Sequence, residues 1–259
     1  MRTTDMVDEL FRGPETELPA GVRLATAKRG GVTVTRVEIT REGLARPRGR
    51  YVTLEMPSVS VLDERDTDVI ETGAAELRAL LPPEGPVLVL GIGNRRADAL
   101  GPRTAQKILV TMGPQHTLPV RGIRPVAALA PGVSGDTGLT LRQLAAAMVD
   151  AVRPAALICV DSLCSAEAAR LGRTIQFSDT GLHPADARHA RHLDAAALGV
   201  PVIAAGIPTL MDADEGADLV LTPRALDSVI AHGSALLAGI LNRALQPRLS
   251  VAQLCWLTG

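Results

Sequence analysis

The chain has 259 residues, enough for one large domain or two small ones. Apolar residues make up 46% and aromatic residues only 2%, so the core must be aliphatic, and base stacking on aromatic side chains is almost excluded. With 27 basic and 28 acidic residues the net charge is −1, and no basic patch that would indicate a nucleic-acid partner stands out.

The N-terminal quarter predicts an irregular start followed by strands and a helix. Residues 1–30 are rich in Pro, Gly and charge, and we expect much irregular structure there. Residues 31–39 alternate apolar and polar positions, as in a half-exposed strand, and residues 51–57 are expected to be its hairpin or sheet partner. Residues 63–81 open with acids and place their apolar side chains on one side, which predicts a helix.

The rest of the chain alternates short apolar runs with helical patterns. Residues 141–152 follow the i, i+3, i+4, i+7 rule of a helix. Thr222 as N-cap and Pro223 at the first helical position predict a long closing helix over 222–245. Buried strands are predicted at 87–90, 126–130, 156–160 and 200–205. We therefore expect one α/β domain over residues 1–259, with a largely parallel or mixed central sheet, helices on both faces and an N-terminal antiparallel hairpin.

The cysteines and the N-terminal residues indicate the cellular compartment in which the protein is expected to work. Cys159, Cys164 and Cys255 show no paired spacing, so neither a disulfide framework nor a thiolate zinc site is indicated. The polar, acidic start is unlike a signal peptide, and no window reaches the ~18 uninterrupted apolar residues of a membrane span. We expect a cytoplasmic protein without a membrane partner.

Several carboxylates fall near the ends of predicted strands. Asp98, Asp161 and Asp179 each follow one, and Asp212 lies farther beyond another. Ligands of open α/β sheets bind beyond the carboxyl ends of the strands. Two acids sharing a partly desolvated site cannot both ionise cheaply, so the pair holds one proton. Such a pair supplies a base to activate water and an acid to protonate a leaving amine, which is the minimum for metal-free peptide hydrolysis.

Simpler interpretations stay open for some of these residues. Asp98 and Asp161 could each be the N-cap of a following helix. The glycine-rich turn at 91–94 lacks both the third glycine and the distant acid of a dinucleotide fingerprint, so that function is disfavoured.

The segment that follows Asp179 carries two further short signals. Residues 179–181 spell the Asp-Thr-Gly of pepsin-like proteases, but those are all-β, so the tripeptide alone means little. His183, His189 and His192 could suggest a metal, yet they lie in a loop-like stretch where a solvated surface is favoured.

Six segments in the same order resemble the germination protease family, the endopeptidases of spore-forming bacteria that degrade small acid-soluble spore proteins. The likeness extends from Met1 to about residue 247 and includes the closing helix. The segments are YVTLEMP, VLVLGIGNRRADALGP, RPVAALAPGVSGDTGL, ALICVDSL, TIQFSDTGLHP and LGVPVIAAGIPTLMDA.

The resemblance implies an atypical aspartic endopeptidase that needs no cofactor or metal. The family's Asp-Ala-Leu-Gly-Pro motif places one catalytic acid at Asp98, and its strand-terminal Asp-Ala-Leu motif places the other at Asp161, here in Asp-Ser-Leu. Asn94 lies in the same segment as Asp98, and Asp179 and His183 lie in another family motif, TIQFSDTGLHP. The resemblance implies that these residues orient the site or contact substrate.

The resemblance also bears on processing and partners. Family enzymes are made as zymogens, and the N-terminus resembles the segment around their self-cleavage point. This implies a short prosegment at residues 1–5, cut between Asp5 and Met6. Small acid-soluble spore proteins would be the substrate, the forespore or spore core the compartment, and a homotetramer the assembly.

Two alternatives follow from the same likeness. The family resembles hydrogenase maturation proteases in fold, which implies as runner-up a metal-sensing peptidase that uses Asp98 and Asp161, with His183 as a third candidate ligand. A non-catalytic homologue is the other, because the turn before Asp98 is shorter than in the family. Most of the helical insertion that the family has before the closing helix is also missing from this sequence. The homotetramer of the family therefore carries over less directly to this chain.

Overall fold

The computed structural model describes residues 4–12, 17–62, 66–94, 99–113, 122–183, 192–213 and 219–258. Within these ranges the chain forms a nine-stranded mixed sheet covered by helices. The strands are β1 (Val22–Arg29), β2 (Val32–Ile39), β3 (Gly49–Glu55), β4 (Val87–Gly91), β5 (Val126–Leu129), β6 (Ala156–Cys164), β7 (Thr174–Ser178), β8 (Val202–Asp212) and β9 (Val220–Leu221).

Seven α-helices and three short 3-10 helices connect the strands in the described part of the chain. The α-helices are α1 (Thr67–Leu80), α2 (Leu100–Gln106), α3 (Ser134–Thr137), α4 (Leu141–Val152), α5 (Ala195–Leu198), α6 (Leu226–Leu245) and α7 (Val251–Thr258). The 3-10 helices span Val7–Leu10, Val59–Val61 and Ala168–Arg170.

The sheet joins an antiparallel half to a parallel half. Its order is β1-β2-β3-β7-β8-β6-β4-β5, with β9 paired to the end of β8. Strands β4, β5, β6 and β8 are mutually parallel, whereas β7 runs antiparallel to both β8 and β3. The mixed α/β sheet with an antiparallel N-terminal part is therefore confirmed, and β7 is the strand that joins the two halves.

Each face of the sheet carries its own core. One face packs α1, α2 and α6 over aliphatic side chains such as Val89, Ile158 and Ile203. The opposite face has two separate clusters, one under α4 and α5 and one under the N-terminal 3-10 helix. The prediction of helices on both faces is confirmed, and the gap between the two clusters of the second face leaves room for polar side chains.

The pairing register of β6, β8, β7 and β3 places a row of residues across the gap between the two clusters of the second face. Asp161 pairs with Gly206, Gly206 with Gln176, and Gln176 with Thr53. Residues directly opposite each other in neighbouring strands point to the same face, so these residues share the second face of the sheet. Gly206 has no side chain, and a Cβ there would lie 2.7 Å from Leu163 Cγ, so the Leu163 side chain packs closely against the strand between Asp161 and Gln176.

Most of the predicted elements are found within a few residues of their expected bounds. The helix predicted over 141–152 is α4 with the same bounds, and the strand predicted over 31–39 is β2, with β3 as its partner. The helix predicted over 63–81 is found as α1, and each of the four apolar runs forms a strand. These elements were predicted from the spacing of apolar residues within a short stretch of sequence.

The expectation of much irregular structure in residues 1–30 holds only in part, because β1 and a 3-10 helix lie there. β1 pairs with β2 along its whole length, from Val22↔Ile39 to Arg29↔Val32. The connecting Gly30 and Gly31 have φ of 51° and 71°, the left-handed values that a two-residue hairpin turn needs. The Gly-Gly pair is a hairpin signal that outweighs the charged composition.

The predicted start of the closing helix is wrong. Helix α6 begins at Leu226, and the backbone N–H of Leu226 donates to the Pro223 carbonyl in a turn before the helix. The bond from Val229 N–H to the Ala225 carbonyl is of the helical i to i−4 type. By length and composition α6 could cross a membrane, but 67% of its most apolar window is buried inside the fold.

Candidate active site

A cavity of about 60 Å³ opens in the polar gap of the second face. It has room for a few water molecules, since one needs roughly 10–15 Å³. Its wall comes from four parts of the chain: the N-terminal segment, the loop before β3 together with β3 itself, the central strands, and the segment after β7. Among the lining residues are Asp5, Arg46, Tyr51, Asp161, Gln176 and His183.

Asp161 is the acid on the floor of this cavity and is only 6% exposed. Its Oδ1 accepts the backbone N–H of Ser162 at 2.9 Å. Val160 pairs with Gly91, the last residue of β4, so Asp161 lies one step beyond the carboxyl end of β4. The interpretation of Asp161 as a helix cap is wrong, because β6 continues to Cys164. Its position after the strand is likewise corrected, since Asp161 lies inside β6.

Asp98 lies outside the described residues, so its distance from Asp161 is not part of the structure. The described residues around it adjoin β6: the backbone N–H of Ile92 donates to the Val160 carbonyl at 2.7 Å. A Cβ at Gly101, in the first turn of α2, would lie 2.4 Å from the Val160 carbonyl oxygen. Ile92 and Gly101, which flank Asp98 in the sequence, therefore both lie against Val160, the residue before Asp161.

The N-terminal segment lies in the cleft and is held there by hydrogen bonds to β6 and β7. The Asp5 N–H donates to the Cys164 carbonyl at 2.8 Å, and the Cys164 N–H donates to Asp5 Oδ2 at 2.8 Å. Gln176 Nε2 donates to the Asp5 carbonyl at 2.8 Å, and the Val7 N–H donates to Gln176 Oε1 at 2.7 Å. Met6, between them, is extended and fully buried. The Asp5–Met6 peptide bond thus lies at the edge of the cavity that contains Asp161.

Arg46 holds the residues just before this bond. Its Nη1 donates to the His183 carbonyl at 2.7 Å, and its Nη2 donates to the Thr4 carbonyl. The same Nη2 lies 3.7 Å from Asp5 Oδ1. The Asp5 carboxylate is therefore bound by a guanidinium on one side and by a backbone N–H on the other.

A buried ion cluster anchors the residues after the bond. Asp8 is 0% exposed, and its Oδ2 lies 2.9 Å from Arg170 Nη2 and 3.0 Å from Arg12 Nε. Thr53 Oγ1 donates to Asp8 Oδ1 at 3.0 Å, and Glu9 lies 3.4 Å from Arg170 Nη1. Breaking such a buried pair is strongly destabilising. The chain is thus fixed firmly on the C-terminal side of Met6.

Asp179 is paired away from the cavity, whereas His183 lines it. Asp179 accepts the Arg50 backbone N–H and Arg50 Nε, each at 2.7 Å. His183 Nε2 lies 2.8 Å from the Thr180 carbonyl, which can only accept, so Nε2 carries the proton. His183 Nδ1, 3.1 Å from His192 Nδ1, is then the acceptor when His183 is neutral.

The remaining candidates contribute less to the cavity wall. Asn94 is half-buried and is not among the lining residues, and Asp212 ends β8 instead of following it. His189 lies outside the described residues. In the part of the chain that the structure describes, no group of three or more His, Cys, Asp or Glu residues is arranged to hold a metal ion.

Burial makes the nearby thiols and phenol poor nucleophiles. It raises the pKa of Cys164 to about 12 and that of Tyr51 to about 12. Burial, followed by the negative charge of Asp161, raises the pKa of the Cys159 thiol well above its usual range. Thiolate is the reactive form of cysteine, so both thiols stay in the unreactive protonated form near neutral pH.

Sequence reasoning missed Arg46, Gln176 and Arg170. Gln176 had a signal, because it is the polar residue in the middle of a strand in which all five residues are buried. Arg46 and Arg170 lie in irregular or short segments whose positions depend on distant parts of the chain. No local pattern separates them from the other arginines.

The fold and the cavity define an α/β protein with a buried acid beside a docked peptide segment. A profile of the germination protease family matches residues 4–216. A germination protease of Clostridium perfringens is 32% identical over 84% of this chain and 86% of the relative. A germination protease of Caldanaerobacter subterraneus is 39% identical over 79% of this chain and 67% of the relative. One from Clostridium acetobutylicum is 29% identical over 90% of this chain and 91% of the relative. The chain belongs to the germination protease family, a family of peptidases.

Proposed function

We propose that this chain is an endopeptidase that hydrolyses small acid-soluble spore proteins during germination, through Asp98 and Asp161. The observation that supports it most is the buried Asp161 in a cavity that borders the Asp5–Met6 peptide bond. Family membership supports the class of reaction, and the hydrogen bonds of Gln176 to the backbone at Asp5 and Val7 support a peptide chain as substrate.

In the proposed mechanism Asp98 and Asp161 share one proton. The ionised carboxylate takes a proton from a water molecule as the water oxygen attacks the scissile carbonyl carbon. The protonated partner then gives its proton to the departing nitrogen, so one water is consumed and a carboxylic acid and an amine are released. Because a coupled pair titrates as a unit, the two roles belong to the pair.

The N-terminal segment acts as a short prosegment in this proposal. Before cleavage, residues 4–7 occupy the cleft and leave little room for another chain. After cleavage, residues 1–5 leave, whereas the new N-terminus stays anchored through Asp8 and Arg170. The departing residues carry Asp5, so Arg46 and the Cys164 N–H become available to an acidic side chain of a substrate.

Incubation with a purified small acid-soluble spore protein tests the function. We expect gel electrophoresis and mass spectrometry to show cleavage next to an acidic residue, without added metal. An unrelated folded protein serves as the control and should stay intact. A spore protein left uncut by the processed chain would favour the non-catalytic alternative.

Self-cleavage is a second expected result. Protein held at mildly acidic pH should lose a mass equal to residues 1–5 and begin at Met6. Charge reversal in Arg46→Glu should slow this step, because a carboxylate beside Asp5 repels it. Arg41→Glu, an exposed residue of the same loop, is the matched control and should cleave normally. An unchanged N-terminus together with full proteolysis of spore proteins would contradict the prosegment assignment.

The metal-sensing alternative differs in its requirement for an ion. Of its three residues, Asp161 and His183 line the cavity, and Asp98 lies outside the described residues. Nickel titration followed by calorimetry separates the two functions, since the proposed peptidase works without metal. We also propose the spore core as compartment and a homotetramer as assembly, which sedimentation analysis would check.

A further inference from the structure

The carboxamide of Gln176 contacts the peptide groups on both sides of Met6. Its Nε2 donates to the Asp5 carbonyl at 2.8 Å, and its Oε1 accepts the Val7 N–H at 2.7 Å. A carbonyl needs a donor and an N–H needs an acceptor, so the orientation of the amide is determined by its partners. The residue is 8% exposed, and its strand holds it in place through pairs with Thr53 and Gly206.

We infer that Gln176 binds the backbone of the cleaved peptide and polarises the scissile carbonyl, an inference that rests on the proposed peptidase function. The contact with the Val7 N–H fixes the position of the peptide, and the contact with the Asp5 carbonyl activates it. Both contacts are to backbone atoms that every peptide carries. After residues 1–5 leave, Val7 keeps its contact with Oε1, whereas Nε2 is released from the Asp5 carbonyl and becomes available to the scissile carbonyl of a substrate.

The sheet register places this amide across from the acid. Asp161 and Gln176 flank Gly206 in one transverse row, so their Cα atoms are roughly 10 Å apart, two strand spacings of ~4.8 Å. Both side chains line the same cavity. A water molecule in the cavity can contact the carboxylate on one side while the carbonyl oxygen is held on the other.

The donor acts on the charge that develops during hydrolysis. When the water oxygen bonds to the carbonyl carbon, the π electron pair moves onto the Asp5 oxygen, and the Nε2–H bond to that oxygen strengthens. The carbon–nitrogen bond then breaks, its electron pair goes to the Met6 nitrogen, and that nitrogen takes the proton from the acid. A neutral amide suits this site, because a cation at the same place would lower the pKa of the acid pair and remove its shared proton.

Two variants of Gln176 and one matched control test the inference. Gln176→Met keeps the length of the side chain and removes both hydrogen bonds. Gln176→Glu keeps the shape and can donate only when its carboxyl is protonated. Gln246→Met is the control, because Gln246 is 1% exposed and pairs with Arg124 in the same way: its Oε1 accepts the Arg124 N–H at 3.0 Å and its Nε2 donates to the Arg124 carbonyl at 2.8 Å.

The rate of self-cleavage, followed by intact mass on the full chain, is the first readout. We expect Gln176→Met to slow it by about 10²- to 10³-fold, as for loss of one oxyanion donor. Gln246→Met should leave the rate unchanged even if it lowers stability. The rate of Gln176→Glu relative to wild type should rise as the pH falls through the pKa of the introduced carboxyl, whereas that of Gln176→Met should stay level. A purely structural role would not produce this pH profile.

Hydrogen exchange of the Val7 amide is the second readout and does not need catalysis. In an Asp161→Asn background, which keeps the chain uncut, Gln176→Met should speed exchange at Val7. If wild type cleaves and Gln176→Met cleaves equally fast, the inference is overturned while the peptidase function stands. If wild type cleaves neither itself nor a spore protein, the peptidase function and the polarising role fail together. If Gln176→Met also leaves the exchange rate of the Val7 amide unchanged, the hydrogen bond between Gln176 and the Val7 N–H is overturned as well.

Discussion

Asp161→Asn should abolish both self-cleavage and proteolysis of spore proteins, with a rate loss of about 10⁴-fold, the upper end of what a positioned acid or base contributes. Asparagine keeps the size of the side chain, and its oxygen can still accept the Ser162 N–H that Asp161 accepts at 2.9 Å. The fold is therefore retained, and the loss reports on chemistry. The measurement is the initial rate of spore-protein cleavage, with thermal unfolding as the check on folding.

Two further variants make the test of Asp161 specific. Asp150→Asn changes an exposed acid of α4 and should leave the rate unchanged. Asp98→Asn should match the loss in Asp161→Asn, and the double variant should lose little more, because residues that act as a unit are not additive. Retention of proteolysis by both single variants would exclude the acid pair as the catalytic group.

Arg170→Met should lower the free energy of unfolding by about 3–5 kcal/mol, the cost of breaking a buried ion pair from one side. Arg170 is 3% exposed and Asp8 is 0% exposed, so the variant leaves a buried carboxylate with Arg12 as its remaining cation. The same change should loosen the N-terminal segment over the cavity. Urea unfolding followed by circular dichroism gives the stability, and amide exchange at residues 4–12 gives the local effect.

An exposed arginine supplies the control for this experiment. Arg23 pairs with Glu38 at 3.3 Å, with side chains that are 79% and 47% exposed, and Arg23→Met should cost less than about 1 kcal/mol. Adding Asp8→Asn to Arg170→Met should recover part of the loss, because the uncompensated charge is then removed. A cost for Arg170→Met as small as that for Arg23→Met would show that the cluster does not anchor the segment.

Regular elements could be predicted from the sequence where one periodicity dominates. Helix α4 and the strands β4, β5, β6 and β8 follow patterns that a window of a few residues contains. The starts of elements were less predictable. Thr222 and Pro223 form a good helix start by local chemistry, yet the chain turns first and α6 begins at Leu226. The buried face of α6 starts only at Val229, so the largely exposed residues 222–225 are not part of the packed helix.

The cavity could be predicted only in part. Asp161 and His183 were expected near one another and line the same cavity, whereas Asp179 is paired with Arg50 outside it. Position after a strand was the argument for Asp179, and its neighbours Ser178 and Thr180 do line the cavity. The Asp179 side chain itself is directed to Arg50 instead. A direction of this kind is a property of the assembled sheet.

By itself the sequence determined the aliphatic core, the alternation of strands and helices, and a set of acids close to strand ends, because each of these depends on neighbours within a few positions. Only the tertiary structure decided that Gln176 contacts Asp5 and Val7, some 170 positions away, and that Arg170 meets Asp8. Such contacts require the order and direction of strands, which arise from burying both faces of one sheet at once. A polar side chain becomes part of a site when that packing leaves it facing a gap.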